Sequence, residues 1–330
     1  IRGSAMSDSP PPTTATPTGG DHDPTGGGDR PVAPTEAALL AEREGVAIVG
    51  RSFGRQTWDR FRRHRLAIFA TVFLALLALS FWIGPVFSSW DPLTPDTSAF
   101  RQGPSREHPF GTDPIGRDLM VRTFVGGRFS LRIALFVALL TTAIGTVLGA
   151  TAGYIGGVVD TLIDQLTNLF LLIPALVVLL VVANRFGSSP NSIAFLLAIL
   201  LWPTIARVVR GLFLQYKEQE FVLAAKAAGA RAPRIMFRHI LPNTFGPIVV
   251  NATLLIGTAI ILESTLSFLG VGVQAPTPTL GNLIFESKGY IESKPSAVFI
   301  PGGFIVAITL CVNFLGDGLR DALDPTTRRS

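Results

Sequence analysis

The sequence predicts an all-α membrane protein with about six transmembrane helices, and three observations carry this prediction. Of the 330 residues, 48% are hydrophobic and only 15% are charged, whereas soluble domains carry roughly 25% charged residues. The chain contains six long apolar runs, each near the length of about 20 residues that a helix needs to cross a bilayer. These runs are continuous rather than alternating, as is typical of helices and not of barrel strands.

The N-terminal 45 residues have a different composition from the rest of the chain. Proline, glycine, threonine and aspartate dominate them, and large apolar side chains are scarce before Leu39. Such a segment cannot bury enough surface to offset the entropy lost on ordering, so we expect a disordered tail over residues 1–45. Within it, residues 1–5 precede Met6 and have the composition of a cloning remnant. Residues 46–65 form a basic segment ahead of the first apolar run.

The apolar runs define the order of the remaining segments. We expect 66–87 to be the first span, 88–132 to be an extracytoplasmic segment that leads into the second span, and 133–326 to hold the other five. Pro174 predicts a kink in the third span. The runs occupy residues 66–87, 133–157, 166–183, 192–209, 246–273 and 297–316.

Basic residues indicate the orientation. They cluster before the first run, between the fourth and fifth runs and after the sixth. Four or six crossings return a chain to its starting side, so all three clusters share one face, which the positive-inside rule assigns to the cytoplasm. Both termini, including a tail at 317–330, are then cytoplasmic. Six arginines in 88–132 oppose this rule and are partly balanced by five acidic residues.

Several classes of function are excluded by what the sequence lacks. The single cysteine, Cys311, cannot form an internal disulfide, and no CxxC or His/Cys cluster predicts a metal site. No HExxH pattern and no P-loop GxxxxGK[ST] pattern occur, so we expect no catalytic residue and no ATP site in this chain. The net charge of +5 lies beside apolar runs, which favours contact with membrane lipids rather than nucleic acid.

The basic loop at 215–243 is the most distinctive segment. "EFVLAAKAAG" is rich in helix formers and stops at Gly229, a typical residue after a helix end. Phe221, Ala224 and Ala225 share a face, and small residues allow close approach by another protein. A second helix is expected to begin after Pro233 and to end before Pro242. An interfacial helix on anionic lipid is the alternative interpretation of the loop.

This loop resembles the cytoplasmic "EAA" loop of ABC-importer permeases. Two positions differ from that loop. Leu223 stands where the loop pattern has glutamate, and Glu220 lies one turn earlier. His239 stands where the pattern has isoleucine. The stretch "FRHILPN" resembles the corresponding stretch in the peptide subfamily of these permeases. The positions that match in spacing are Ala224, Ala225, Gly229, Leu241 and Pro242.

Four further segments resemble the second permease subunit of dipeptide, oligopeptide and nickel importers, so that the likeness extends from about residue 55 to about 326. They are "HPFGTDPIGRDLMVRTFVGGRFSLRIAL", "GYIGGVVDTLIDQ", "ESTLSFLGVGVQAPTPTLGNLI" and "LGDGLRDALDP". The resemblance implies a type I ABC-importer permease fold in a bacterial plasma membrane. It also implies a homologous permease as heterodimer partner, one or two cytoplasmic ATPase subunits that carry ATP and Mg, and an extracellular or lipid-anchored binding protein.

The same resemblance implies that the loop couples ATPase motion to the spans. A short helix seated in a cleft can transmit such motion as a rigid body. The implied coupling residues are Glu220, Phe221, Ala224, Ala225, Gly229, Arg231, Arg234, Arg238, His239, Leu241 and Pro242.

Two intramembrane polar residues are candidates for the translocation pathway. Glu263 lies inside the fifth run, where a charge costs about 3 kcal/mol and must face the bundle interior or water. It would bind a peptide amino group or, the interpretation we favour, form an inter-helix hydrogen bond. Asn251 is the second candidate. In the outer segment, Asp113, Arg117 and Asp118 predict a packed Asp–Arg network.

The cargo stays open between di- or oligopeptides and nickel chelates, opines, glutathione or haem. An ion-coupled secondary transporter would carry more ionisable residues within its spans, together with inverted repeats. A membrane scaffold without transport is the remaining alternative.

Overall fold

The fold is given by a computed structural model that describes residues 53–186 and 188–323. Within these residues the chain is helical, and the only β-type pairing among them is an isolated bridge between Thr112 and Asp118. The prediction of an all-α protein is therefore confirmed. The predicted tail at 1–45 lies outside the described residues, as do 46–52 of the basic segment and 324–330 at the C-terminus.

Long helices dominate the described part of the chain. Five are long and apolar enough to cross a membrane, and the bent pair α4–α5 makes a sixth when it is counted as one span. A π-helical segment, Ile235–Ile240, joins α8 to α9. The helices are α1 (Phe53–Phe61), α2 (Arg65–Ile83), α3 (Leu119–Ile155), α4 (Gly157–Leu172), α5 (Ala175–Phe186), α6 (Pro190–Tyr216), α7 (Glu220–Ala227), α8 (Ala232–Arg234), α9 (Leu241–Phe268), α10 (Leu280–Ser287) and α11 (Ser296–Leu323).

Close packing of α3 on α6 forms the centre of the bundle. Gly145, Gly149 and Gly153 lie on the buried face of α3, one turn apart. A Cβ on Gly145 would lie 2.8 Å from the Trp202 carbonyl oxygen, and one on Gly153 would lie 2.7 Å from the Arg210 carbonyl oxygen. Small side chains at these positions let the two backbones approach, as in other membrane helix pairs.

The third apolar run is broken at the proline that predicted a kink. Ile173, which precedes Pro174, adopts an extended conformation with φ −85° and ψ 126°. A residue before proline is disfavoured in the α-helical region because of a clash with the proline ring. Consequently α4 and the first part of α5 meet at an angle of 80°.

Several helices continue past the apolar runs from which they were predicted. α3 begins at Leu119 rather than at 133, and the Asp118 side chain caps it by accepting a hydrogen bond from the Val121 amide at 2.8 Å. Residues 119–132 are thus helical, not part of the outer segment. α11 runs to Leu323, so that the predicted tail from 317 is helical to that point. Charged residues such as arginine end an apolar run without ending a helix.

Two contacts bring the basic segments to one end of the bundle. His64, at the start of α2, lies 3.5 Å from Asp321, near the end of α11. The Lys226 ammonium of α7 lies 5.8 Å from the ring centre of Tyr154, at the end of α3. We call this the basic end, which the positive-inside rule predicts to be cytoplasmic. The opposite end is called the outer end.

Candidate functional site

Helix α7 lies in the loop between α6 and α9, at the basic end. The turn that follows it is made by Gly229, whose φ of 79° lies in the left-handed region that favours glycine. The Gly229 amide donates to the Lys226 carbonyl at 2.9 Å, and the Ala230 amide donates to the Ala225 carbonyl at 3.0 Å. These bonds close the C-terminus of the helix. Glu220 in the first turn and Lys226 in the last complement the helix dipole.

One side of α7 is anchored and the other is open. Val222 is fully buried in the main core, and Ala225 packs partly against the same core. Phe221 and Leu223 are 41% and 47% exposed, and Ala224 is exposed as well. The helix is therefore fixed to the bundle while its outward side presents apolar and small side chains.

Contacts at both ends of α7 connect it to the spans. The Phe221 ring lies 6.5 Å from the ring of Tyr216, the last residue of α6. The Lys226–Tyr154 contact joins α7 to the end of α3. A displacement of α7 would thus be felt by two spans of the bundle centre.

The second half of the loop carries exposed cations. Arg231, Arg234 and Arg238 are exposed and form no ion pair within the described residues. Gly229, Arg231, Pro233 and Arg234 line a depression of about 410 Å³ beside α7. Five lysines or arginines face two glutamates over residues 215–243. The loop is thus a basic surface with a concave region.

The predicted helix end before Pro242 is wrong. The chain continues from α8 through the π-helical segment into α9 without a break. Pro242 is the second residue of α9 and has no amide to donate to the preceding turn, and that turn is the wider π-helical segment. The buried residues of the segment are Ile235, Met236 and Ile240, whereas His239 and Leu241 are partly buried. The loop is therefore continuous with a span.

The outer end holds a buried ion network. Arg122 is 1% exposed and donates to Asp113 at 2.5 Å and to Glu286 at 2.8 Å. Arg117 reaches the same two carboxylates, at 2.6 Å and 2.9 Å. Two cations and two anions thus neutralise one another. The network ties the start of α3 to α10.

The predicted trio in this region is divided between two clusters. Asp113 and Arg117 belong to the network above, whereas Asp118 is bound by His108, whose Nδ1 lies 2.8 Å from the carboxylate. Sequence reasoning missed Arg122, which lies nine residues after Asp113, because residues 119–132 were not expected to be helical, and it missed Glu286 because this residue is 164 positions after Arg122. Among residues 53–186 and 188–323, no group of three His, Cys, Asp or Glu side chains could hold a metal ion.

A cavity of about 540 Å³ lies beside the ion network. The Arg101 guanidinium lies over the Tyr290 ring, 4.5 Å from its centre. Lys294 donates to the carbonyl of Gln102 and, at 2.8 Å, to that of Thr112. Burial lowers the pKa of Lys294 below its ordinary value, since desolvation disfavours the charged ammonium.

Glu263 is completely buried and is surrounded by hydroxyl groups. Its carboxylate accepts hydrogen bonds from Ser130 at 3.1 Å and from Ser267 at 2.8 Å. Ser130 also accepts the Leu280 amide, at 3.1 Å. The carboxylate therefore joins α3, α9 and the start of α10. Asn251, three turns earlier in α9, donates to the Pro247 carbonyl of its own helix at 2.8 Å, and the structure does not bring it near Glu263. Their role in a pathway stays a prediction.

Two family models match the chain. The model described as "Binding-protein-dependent transport system inner membrane component" matches residues 145–329. The model described as "N-terminal TM domain of oligopeptide transport permease C" matches residues 52–104. The first match includes α4 to α11 and therefore the whole loop around α7.

Curated proteins with similar sequences have names that refer to peptide transport. A putative peptide permease protein of Brucella suis is 40% identical over 269 residues, which cover 81% of this chain and 89% of the relative. The oligopeptide transport system permease protein OppC of Bacillus subtilis is 36% identical over an alignment that covers 89% of this chain and 96% of the relative. The dipeptide transport system permease protein DppC of Alkalihalophilus pseudofirmus is 38% identical over an alignment that covers 82% of this chain and 89% of the relative.

Solved structures with a similar fold include inward-facing conformations of the MetNI methionine ABC transporter. One such chain superposes with a TM-score of 0.52 at 20% identity and covers 62% of this chain and 96% of its own length. A second crystal form superposes with a TM-score of 0.51 at 19% identity. At this level of identity the likeness shows the fold, which agrees with the predicted importer-permease fold.

Proposed function

The chain belongs to the family of binding-protein-dependent transport system inner membrane components, and we propose that it forms half of a pathway through which di- and oligopeptides are imported. Family membership rests on the model that matches residues 145–329 and on relatives 36–40% identical over most of the chain. The protein is thus a multi-pass membrane permease subunit. The names of the relatives support peptides as the cargo and a bacterial plasma membrane as the location.

The observation that carries the coupling proposal is the way α7 is attached. Val222 fixes the helix to the core, Phe221 and Lys226 contact the ends of α6 and α3, and the loop continues directly into α9. An ATPase that grips the exposed side of α7 would therefore move three spans together. Rigid elements of this kind transmit hinge motions between domains.

The composition of the loop supports a protein as its occupant. Exposed Phe221 and Leu223 supply an apolar contact. Arg231 and Arg234 border a depression large enough to receive side chains of a partner. Aromatic and arginine residues are enriched in protein interfaces.

The rest of the machinery lies on other chains in this proposal. The chain has no P-loop pattern, so ATP and Mg would be bound by one or two cytoplasmic ATPase subunits, and this chain would not itself be catalytic. A homologous permease would complete the pathway. A binding protein, as the family description implies, would deliver cargo at the outer end.

The coupling is tested by Ala224→Glu in the complete importer, co-expressed with its partner permease, ATPases and binding protein. Ala224 is exposed on α7, so that a glutamate there need not disturb the core. We expect peptide-stimulated ATP hydrolysis and peptide uptake to fall at least tenfold, and the ATPases to be lost on purification. The control is Phe69→Ala, where an exposed side chain lies on α2 and not in the loop. Retained ATPase and uptake in Ala224→Glu would contradict coupling through α7, and wild-type complex that imports no peptide would contradict the cargo.

A further inference from the structure

A row of polar side chains joins α4 to α6 in the half of the bundle nearest the basic end. Asp160 accepts two hydrogen bonds from Arg210, at 2.5 and 2.9 Å. Arg210 also lies 3.4 Å from Asp164. Asn168 donates to Asp164 at 3.0 Å and accepts from Arg207 at 2.7 Å. We call these five residues the polar row.

Two members of the polar row, Asn168 and Arg207, fall inside the apolar runs 166–183 and 192–209, whereas Asp160, Asp164 and Arg210 lie just outside these runs. With a rise of 1.5 Å per residue, Asp164 is about 10 Å and Asn168 about 17 Å from the start of α4 at Gly157. Arg207 is about 14 Å from the end of α6 at Tyr216. Half of the hydrocarbon core is about 15 Å thick, and α6 with its 27 residues is longer than the core, so these distances are upper limits on the depth. Ionisable groups at such depth face the bundle interior or a water-filled cavity.

The polar row is exposed on the surface of this subunit. Asn168 and Arg207 are exposed, and the side chains of Asp164 and Arg210 are 35% and 30% exposed. Helix α4 is amphipathic, because Asp160, Asp164 and Asn168 recur every fourth residue. Its other exposed side carries Leu162, Leu166 and Leu169. The apolar side is suited to lipid, so the polar side turns toward something else.

Arg207 has the least compensated charge in the polar row. Its guanidinium is bound to the neutral amide of Asn168, and no carboxylate lies within 4 Å of it among the described residues. Asp160 and Asp164, by contrast, share Arg210. A cation that is exposed, intramembrane and without a counter-ion can receive a carboxylate from a molecule that passes it.

We propose that the polar row lines the cytoplasmic half of the translocation pathway, where Arg207 receives the C-terminal carboxylate of the peptide and Asp164 its ammonium group. This inference rests on the proposed function. A zwitterionic peptide meets both signs of charge along the row. Because the two aspartates are already paired with Arg210, each interaction is weak enough to be released, as passage requires.

Thiol labelling tests whether the polar row faces water. Cys311 is the single cysteine and is buried, so Cys311→Ala removes the native thiol from this chain, and labelling is read on this chain alone. Asn168→Cys and Leu166→Cys are then placed in the complete importer in lipid vesicles and treated with a water-soluble thiol reagent. The structure predicts rapid labelling at 168, little at 166, and slower labelling at 168 when a dipeptide is transported. Equal labelling at both positions, or none at 168, overturns the inference.

A second variant tests the role assigned to Arg207. Two cargoes are compared, a dipeptide with a free C-terminus and the same dipeptide with an amidated C-terminus. For each cargo, uptake by Arg207→Gln is divided by uptake by the wild type. We expect this ratio to be at least fivefold lower for the dipeptide with the free carboxylate than for the amidated dipeptide. Equal ratios mean a structural or lipid-facing arginine and overturn the assignment. Wild-type uptake measured in the same vesicles tests the proposed function separately.

Discussion

At the outer end Arg122 is almost fully buried between two carboxylates, whereas at the basic end Arg231, Arg234 and Arg238 are exposed and form no ion pair within the described residues. Buried charges must be paired, because their desolvation is costly. Exposed arginines cost little to maintain and remain available to a partner. The comparison assigns a structural role to the outer charges, whereas the loop arginines are available for the partner contact proposed above.

The same contrast appears in the backbone. At the outer end, Asp118 caps α3 and binds His108, so that one side chain fixes both a helix start and a loop. At the basic end, α7 has no side-chain N-cap, and Val222, which is buried in the main core, is its anchor. The two ends therefore hold these helices differently, by a polar cap at the outer end and by apolar packing at the basic end.

The largest expected effect is on the buried network. Arg122→Gln leaves Asp113 and Glu286 with Arg117 alone and should lower the free energy of unfolding by about 3–5 kcal/mol, as the loss of one partner of a buried ion pair does. Thermal unfolding of the purified protein in detergent measures this. Arg231→Gln is the matched control and should change stability by less than about 0.5 kcal/mol. Similar losses in both variants would remove the distinction between the two ends.

A smaller effect is expected at Glu263. Glu263→Leu would leave the Ser130 and Ser267 hydroxyls without their acceptor, at a cost of about 1–3 kcal/mol. Glu263→Gln keeps an acceptor of the same shape, so stability and peptide uptake should stay close to wild type. Thermal unfolding and uptake are measured on both. If Glu263→Gln abolished uptake while unfolding at the wild-type temperature, the pathway role would be favoured over the structural one.

Local chemistry explains which parts of the fold could be predicted. Apolar runs predict helices, and Pro174 and Gly229 change the chain direction because their own backbones require it. Helix starts were missed where charged residues lie inside helices, as in residues 119–132. Arg122 and Glu286, or Asp160 and Arg210, meet only after folding and are 164 and 50 residues apart. No local pattern reports such distant pairs, so the contribution of Glu286 to the ion network and the whole polar row were found only in the structure.

The smallest effect distinguishes two exposed glycines at the basic end. A Cβ on Gly229 would meet no atom within 4 Å, so Gly229→Ala adds only backbone strain from the φ of 79°, which costs about 1 kcal/mol. The strain should speed hydrogen exchange of the α7 amides about fivefold and leave the spans unchanged. Gly211→Ala also meets no atom but lies inside α6, where alanine stabilises a helix by up to about 1 kcal/mol. Exchange in α6 should slow or stay the same. If both variants accelerated exchange equally, left-handed strain at Gly229 would not be the cause.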